Sequence, residues 1–163
     1  MGTVAAIAVT GHLDLGEGTA GAVRAELREL LRAHAAAGDL VGLSCLAPGA
    51  DTIFAEELLA AGGELVAVLP ARGWREPGEA FARLLRAAVE VVEMPFDTPD
   101  FEGYAAANEV LLARSDLLVA VWDGAPPQGP GGTGDLVRRA RDVGRPVVRV
   151  WPQGASRGEP GDP

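Results

Sequence analysis

Residues 129–135 read Gly-Pro-Gly-Gly-Thr-Gly-Asp and lie between an apolar segment and an arginine-rich one. Glycines let a backbone approach a ligand closely, and a helix that begins at such a loop offers free N–H groups to an anion. The stretch therefore predicts a loop that holds a phosphate or a ribose, with a plain turn as the structural alternative. Asp135 lies at the expected helix start, where its negative charge either complements the helix dipole or contacts a ligand. If it contacts a ligand, a ribose hydroxyl or an amine is expected there, because a further phosphate group would meet a like charge.

Four further polar residues have side chains that suit a ligand site. His12 has no identified carboxylate or nucleophile partner, so it is predicted to contact a phosphate or a base rather than to act as a general base. Asp51 precedes an expected helix, where an N-cap is favoured over a ligand contact. Asn108 shares a helical face with Tyr104 and is expected to face the ligand cleft. Asp123 follows an apolar run and suits a ribose hydroxyl.

Composition excludes several kinds of chemistry. All 14 basic residues are arginine, so no lysine is present to complete a P-loop or to form a Schiff base. The net charge of −9 disfavours a nucleic-acid partner. One cysteine, Cys45, predicts a buried free thiol, and with two histidines it gives no zinc-site spacing, so neither a metal nor an obligatory cofactor is expected. The absence of a run of roughly 20 apolar residues and of a basic leader predicts a cytoplasmic protein without membrane contact.

These residues must be positioned by alternating strands and helices. The order along residues 1–151 predicts an α/β fold, namely a single-domain Rossmann-like open sheet, mostly parallel, with helices on both faces. Residues 152–163 are rich in glycine, proline and charge and predict a flexible C-terminal tail. The expected strands are residues 4–10, 40–46, 64–69, 89–94, 117–122 and 146–151. The expected helices are residues 19–37, 79–88, 104–114 and 135–143, with one more that follows Asp51 and ends near residue 61.

In an open parallel sheet, ligands bind outside the C-terminal ends of the strands, near the point where the strand order reverses. This rule selects four loops, each of which contains glycine: residues 10–12, 48–51, 122–124 and 129–135. The residues predicted to bind a ligand, on these loops and on the helix that follows residue 103, are Thr10, Gly11, His12, Gly49, Asp51, Asn108, Asp123, Gly131, Gly132, Thr133, Gly134 and Asp135.

The order of five segments resembles one known group of proteins. The order of these segments along the chain resembles that in the SLOG superfamily of Rossmann-like proteins. The segments are residues 10–12, 46–51, 63–70, 115–116 and 130–134. That superfamily includes the LOG or "lysine decarboxylase-like" phosphoribohydrolases and the domain of DNA-processing protein A. The resemblance implies that the chain binds a nucleotide or a nucleotide-derived ligand along its glycine-rich loops.

The residues that serve catalysis in the LOG enzymes are changed in this sequence. The LOG motif PGGxGTxxE has its threonine position at Asp135 and its glutamate position at Arg138, and the upstream Arg-Lys pair falls on Ala107 and Asn108. A guanidinium cannot take over the proton handling or charge stabilisation of a carboxylate. Whether the protein is an enzyme therefore stays open.

A second resemblance is to the nucleoside 2-deoxyribosyltransferases. Their nucleophilic glutamate lies three residues after the threonine of a Gly-Thr pair, where this chain has Leu136. Asp135 lies one residue earlier, which is roughly 100° away around a helix. The usual nucleophile of that family is therefore not at its expected position.

Three hypotheses follow. In the leading one, the protein binds a small nucleotide or ribose-phosphate ligand through its glycine-rich loops. In the alternative, it is an N-glycosidic-bond hydrolase or transferase, phosphoribohydrolase-like or deoxyribosyltransferase-like, that uses Asp135, Asp123 or Asp51 in place of the usual glutamate. In the third, it is a scaffold with a degenerate site that acts through oligomerisation, for example as a homodimer.

Overall fold

The computed structural model describes residues 3–127, 129 and 131–158. Within these ranges, strands and helices alternate from end to end. In chain order they are β1 (Thr3–Gly11), α1 (Glu17–Ala37), β2 (Gly38–Ser44), α2 (Ala50–Ala60), β3 (Glu64–Leu69), α3 (Glu79–Ala87), β4 (Glu90–Glu93), α4 (Phe101–Arg114), β5 (Leu117–Val121), α5 (Thr133–Asp142) and β6 (Val147–Val150).

The six strands form one parallel sheet in the order β4-β3-β2-β1-β5-β6. Strand β1 lies in the centre, where Ile7 is opposite Gly42 of β2 on one side and opposite Leu117 of β5 on the other. The chain builds outward from β1 to β4 and then returns to the far side of β1 with β5. The strand order therefore reverses between β1 and β5, and the crevice at their C-terminal ends is where an open α/β sheet binds ligands.

Alternate residues of the strands pack against helices on opposite faces of the sheet. Ile7 and Val9 of β1 belong to the core formed with α1, α2 and α3, whereas Ala8 belongs to the core formed with α4 and α5. Both faces are thus covered, which explains why the strands read as continuous apolar runs rather than as an alternating pattern. The expected α/β fold, with one open parallel sheet and helices on both faces, is confirmed.

The C-terminal segment contacts the loop between β1 and α1. The backbone of Ser156 accepts a hydrogen bond from Gly16 N at 3.0 Å, and its amide donates to Thr19 Oγ1 at 2.8 Å. Gly158 N donates to Asp14 O at 2.7 Å. The flexible tail expected for residues 152–163 stays a prediction. Ser156 and Gly158 make these contacts, and residues 159–163 lie outside the described ranges. No helix in the described part of the chain is long and apolar enough to cross a bilayer.

Candidate functional site

A cavity of about 490 Å³ opens at the C-terminal ends of β1 and β5, where the strand order reverses. The loops that follow the two strands are joined at its base, because His12 N donates to Val121 O at 3.1 Å. Three of the four loops selected from the sequence contribute to this cavity, and so does the C-terminal segment. The cavity is lined by Gly11, His12, Leu13, Asp14, Trp122, Asp123, Ala125, Pro126, Pro127, Gly132, Thr133, Gly134 and Arg157.

His12 and Asp123 contact each other in the wall of this cavity. His12 Nε2 accepts a hydrogen bond from Asp123 N at 3.1 Å and lies 3.3 Å from Asp123 Oδ1. A nitrogen that accepts from an amide carries no proton, so the imidazole is neutral with its hydrogen on Nδ1. Burial, and after it the charge of Arg157, lower the pKa of His12 despite the opposing effect of Asp123. His12 is therefore a fixed, uncharged part of the cavity wall at neutral pH.

The Asp123 carboxylate is ionised in the same cavity. Its Oδ1 accepts from Ala125 N at 2.9 Å, and this hydrogen bond is the main reason why the pKa of Asp123 is lowered. Arg157 enters the cavity from the C-terminal segment and pairs with Asp14 at 3.1 Å. The cavity thus combines hydrogen-bond acceptors suited to hydroxyl groups with one guanidinium suited to an anion.

Helix α5 begins at the wall of this cavity. Its N-cap is Gly132, and no side chain among the described residues caps it. The N–H groups of a first helical turn have no partners within the helix and attract anions. Gly132, Thr133 and Gly134 line the cavity, and Thr133 Oγ1 is 3.0 Å from Thr10 Oγ1, which ties α5 to the end of β1. The glycine-rich loop therefore presents a helix N-terminus to the cavity.

Asp135 is used by the loop itself. It lies in the first turn of α5 as expected, is 4% exposed, and its Oδ2 accepts from Gly131 N at 3.1 Å. Its Oδ1 pairs with Arg138. Asp135 lines a small outer pocket with Gly129 and Arg138 and neither of the cavities at the strand ends. Pro130, within the same loop, lies outside the described residues.

Two of the predicted glycines have tight packing environments. A Cβ on Gly11 would lie 2.4 Å from Ala50 Cβ, so this glycine lets α2 approach β1, although it also lines the cavity. Gly49 has a φ of +84°, and a Cβ there would lie 2.6 Å from Leu13 O. Gly49 does not line the strand-end cavities. Close packing within the protein explains both glycines without a ligand.

A second cavity of about 210 Å³ lies beside the first, between the ends of β1 and β2 and helix α4. The two cavities share Gly11, Leu13, Gly132 and Thr133 in their walls, so they adjoin along the glycine-rich loop. The lining residues of the second cavity are Val9, Thr10, Gly11, Leu13, Cys45, Ala47, Asp51, Tyr104, Asn108, Leu111, Gly131, Gly132 and Thr133.

Asp51 lines the second cavity, and its interpretation as an N-cap is wrong. The N-cap of α2 is Gly49, so Asp51 lies inside the first turn, where its Oδ2 accepts from Ala47 N at 3.4 Å. The residue is 8% exposed, and burial raises the pKa of its carboxyl group to about 7. Cys45, which directly follows β2, is a free thiol that is half-buried at the same cavity, and burial raises its pKa as well.

The two polar residues of α4 also face the second cavity. Tyr104 and Asn108 both line it, as their spacing on one helical face predicts. Asn108 Nδ2 donates to Gly131 O at 3.2 Å and so fixes the glycine-rich loop against α4. Ala107, the neighbour of Asn108, is fully buried in the core.

Sequence reasoning missed the residues that the C-terminal segment brings to the site. Arg157 lines the larger cavity, and Trp151 contacts the His12 ring edge-on with centroids 5.5 Å apart. Both lie in or beside a stretch whose composition indicates a tail. The bridge between Leu15 and Arg157 depends on residues 142 positions apart, and no local pattern predicts such a pairing.

Neither a protein-family model nor a curated protein matches the chain. Solved structures do match its fold. DNA processing protein A (DprA) from Streptococcus pneumoniae has a TM-score of 0.68 at 22% identity over 90% of this chain. DprA from Helicobacter pylori has a TM-score of 0.67 at 19% identity over 89% of this chain. The molybdenum cofactor binding protein from Rippkaea orientalis has a TM-score of 0.61 at 17% identity over 90%.

These likenesses establish the fold. The chain spans 50% of the length of the Streptococcus DprA, 64% of the Helicobacter DprA and 76% of the Rippkaea protein. The Rossmann-like fold implied by the sequence resemblance to the SLOG superfamily is confirmed, and DprA is one of the proteins that the resemblance named.

Proposed function

We propose that this Rossmann-like protein binds a nucleotide or a nucleotide-derived small molecule, with the phosphate at the N-terminus of α5. The observation that carries the proposal is the uncapped first turn of α5, which opens into a cavity of about 490 Å³ at the reversal of strand order. This volume lies within the roughly 300–1,000 Å³ typical of small-ligand sites. A phosphate there accepts hydrogen bonds from the free N–H groups and is favoured by the helix dipole.

The charges of the cavity suit a ligand with one anionic end and several hydroxyl groups. Arg157 supplies a guanidinium to the same cavity, where it pairs with Asp14. The Asp123 carboxylate accepts hydrogen bonds, which suits ribose hydroxyls and repels a second phosphate. A sugar monophosphate therefore fits this cavity better than a polyphosphate.

The neighbours of known structure are named for two different ligands. One is a molybdenum cofactor binding protein, and the Helicobacter DprA binds single-stranded DNA. A net charge of −9 without any lysine favours a small ligand for this chain, because nucleic-acid binding draws its affinity from many cation–phosphate contacts. Single-stranded DNA is accordingly a competitor ligand in the test below.

A titration with ribose 5-phosphate, AMP and inorganic phosphate, followed by calorimetry and by thermal unfolding, tests the proposal. Ligand at 100 times its dissociation constant raises the free energy of unfolding by about 2.7 kcal/mol. AMP and ribose 5-phosphate should bind, and an oligodeoxynucleotide should not displace them. Failure of all three phosphate compounds to bind at millimolar concentration would refute the proposal.

The matched variants are Gly132→Asp and Gly21→Asp. Gly132 has a φ of −87° and open space at its Cβ, so an aspartate fits and caps α5 with its own carboxylate. The cap should add a few tenths of a kcal/mol to the stability, while phosphate binding weakens at least tenfold. Gly21, in α1, also has open space at its Cβ, so Gly21→Asp adds the same charge away from the cavity and should leave binding unchanged. Unaltered binding by Gly132→Asp would contradict the assignment of the phosphate to α5.

The second candidate function is cleavage of an N-glycosidic bond, and the position of Asp123 favours it. Of the two leading candidate carboxylates, Asp123 lines the cavity in its ionised form, whereas Asp135 is paired with Arg138 outside it. An ionised carboxylate could stabilise positive charge that develops on a ribose. Release of free base from a nucleoside monophosphate, abolished in Asp123→Asn, would support this function. Binding of AMP without release of adenine over many hours would exclude it for that substrate.

A further inference from the structure

The smaller cavity contains a buried carboxylate that has one long hydrogen bond and no ion pair among the described residues. Asp51 is 8% exposed, its Oδ2 has a long hydrogen bond of 3.4 Å from Ala47 N, and its Oδ1 accepts none from the described residues. No arginine or histidine of the described residues lies within ion-pair distance of it. Buried charges are normally paired, because leaving one without a partner is costly. An unpaired carboxylate in a cavity wall is therefore a candidate for ligand recognition.

The backbone around Asp51 is held firmly in place. Ser44 Oγ accepts from Leu46 N at 3.0 Å and donates to Asp51 O at 3.2 Å, while Thr52 Oγ1 donates to Ala47 O at 2.8 Å. Leu46 has a φ of +57°, a left-handed conformation that is uncommon for a bulky residue and persists only when its surroundings impose it. A recognition group must be held rigidly to discriminate between ligands, and Asp51 meets that requirement.

The remaining walls of the cavity suit one flat heterocycle. Val9 and Leu111 supply apolar surface, and Tyr104 supplies a hydroxyl group. The Nδ2 of Asn108 already donates to Gly131 O, which leaves its Oδ1 as an acceptor. At about 210 Å³ the cavity is smaller than a typical site for a whole ligand, so it takes one part of a ligand whose remainder lies in the adjoining larger cavity.

We propose that Asp51 recognises the 2-amino-4-oxopyrimidine edge of a guanine or pterin ring. This edge presents two adjacent N–H donors, and the two oxygens of a carboxylate accept such a pair side by side in charge-assisted hydrogen bonds. Adenine presents a single amino group beside a ring nitrogen that is an acceptor, which an ionised carboxylate repels. The inference rests on the proposed function, since the phosphate at α5 anchors the other end of the ligand.

Calorimetry on the full chain at pH 8 with GMP, IMP, AMP and ribose 5-phosphate tests this assignment. IMP has the guanine ring without the 2-amino group and so removes one of the two donors. GMP should bind at least tenfold more tightly than IMP and AMP. Equal affinity for all three nucleotides would overturn the assignment of Asp51 to the ring edge. If ribose 5-phosphate still bound in that case, the proposed phosphate site at α5 would stand. Absence of binding by every phosphate compound would overturn both proposals.

Two further measurements assign the effect to Asp51. Asp51→Asn should weaken GMP at least tenfold and leave ribose 5-phosphate unchanged, whereas retained preference for GMP would overturn the assignment. In the unmodified protein, GMP should bind more weakly at pH 6 than at pH 8 relative to ribose 5-phosphate, because Asp51 gains a proton. The pKa values of Cys45 and Tyr104, which line the same cavity as Asp51, are raised, so both stay neutral over this range. Titration with pterin, which has no phosphate, separates a pterin ligand from a guanine nucleotide. If pterin binds as tightly as GMP, the ligand is a pterin, and if it binds weakly, the ligand is a guanine nucleotide.

Discussion

Replacing Asp51 by asparagine should change how the stability of the protein depends on pH. The carboxyl of Asp51 has a pKa of about 7, raised from 3.8 by burial. Between these values the folded protein holds a proton that the unfolded chain has released, so stability falls as the pH rises through this window and is constant above it. At about 1.4 kcal/mol per pKa unit the loss is about 4 kcal/mol. The N-terminus of α2 favours the carboxylate by about 0.3–1 kcal/mol, which leaves about 3 kcal/mol.

Asparagine has the same shape as the protonated carboxyl group and does not ionise. Asp51→Asn should therefore match the unmodified protein near pH 4 and exceed its stability by about 3 kcal/mol at pH 8. Urea unfolding of both proteins at several pH values measures this difference, in which the titrations of all other groups cancel. Parallel stability curves across the window would refute the argument that Asp51 is a buried carboxylate without a partner.

Asp135→Asn is the matched control for this experiment. Asp135 is also a buried carboxylate in the first turn of a helix, but it pairs with Arg138 and accepts from Gly131 N. Its replacement should lower the stability at pH 8 by about 1 kcal/mol. The two substitutions thus change the free energy of unfolding in opposite directions at pH 8. An equal change in both variants would contradict the structural distinction between Asp51 and Asp135.

Three further predictions concern the residues around the site. Ser44→Ala leaves the buried Leu46 N without its partner and removes a hydrogen bond to Asp51 O, so it should destabilise the protein by about 1–3 kcal/mol in urea unfolding. Gly103→Ala places a Cβ 2.2 Å from Pro70 O, so α4 must move away; we expect a loss of about 1–3 kcal/mol by the same assay. Arg157→Gln removes the guanidinium of the larger cavity and should weaken ribose 5-phosphate at least tenfold in calorimetry while it changes the melting temperature little, because its ion pair with Asp14 is partly exposed.

The sheet could be predicted because its strands are apolar on both faces. Each of the six expected strands lies within two residues of an observed one, as in β3, where the bounds agree. The starts of helices were less predictable. Helix α4 begins at Phe101 rather than at Tyr104, because Asp100 caps it through hydrogen bonds from Glu102 N and Gly103 N. A cap outside the apolar periodic stretch is a local contact that periodicity does not reveal.

The position of the candidate site could also be predicted, but not the role of each residue within it. Ligand sites at strand ends follow from topology, which is why the loops of residues 10–12, 122–124 and 129–135 come together. Sequence cannot tell a glycine needed for packing from one needed for a ligand, as Gly49 illustrates with its Cβ position against Leu13 O. Arg157 could not be found either, since its contacts depend on the course of the chain after β6.

The hydrogen-bonding capacity that remains at each polar group favours binding over acid–base catalysis. A general base needs a free lone pair, yet His12 Nε2 already accepts from Asp123 N, and its lowered pKa weakens it as a base. Both oxygens of Asp135 have partners, namely Gly131 N in the loop and Arg138 in α5. Groups that keep unused hydrogen-bonding capacity at the two cavities include the first-turn N–H groups of α5, the carboxylate of Asp123 and the Oδ1 of Asp51. They match a phosphate, a ribose hydroxyl and a heterocycle, which are the three parts of a nucleoside monophosphate, and they lie in the walls of two adjoining cavities.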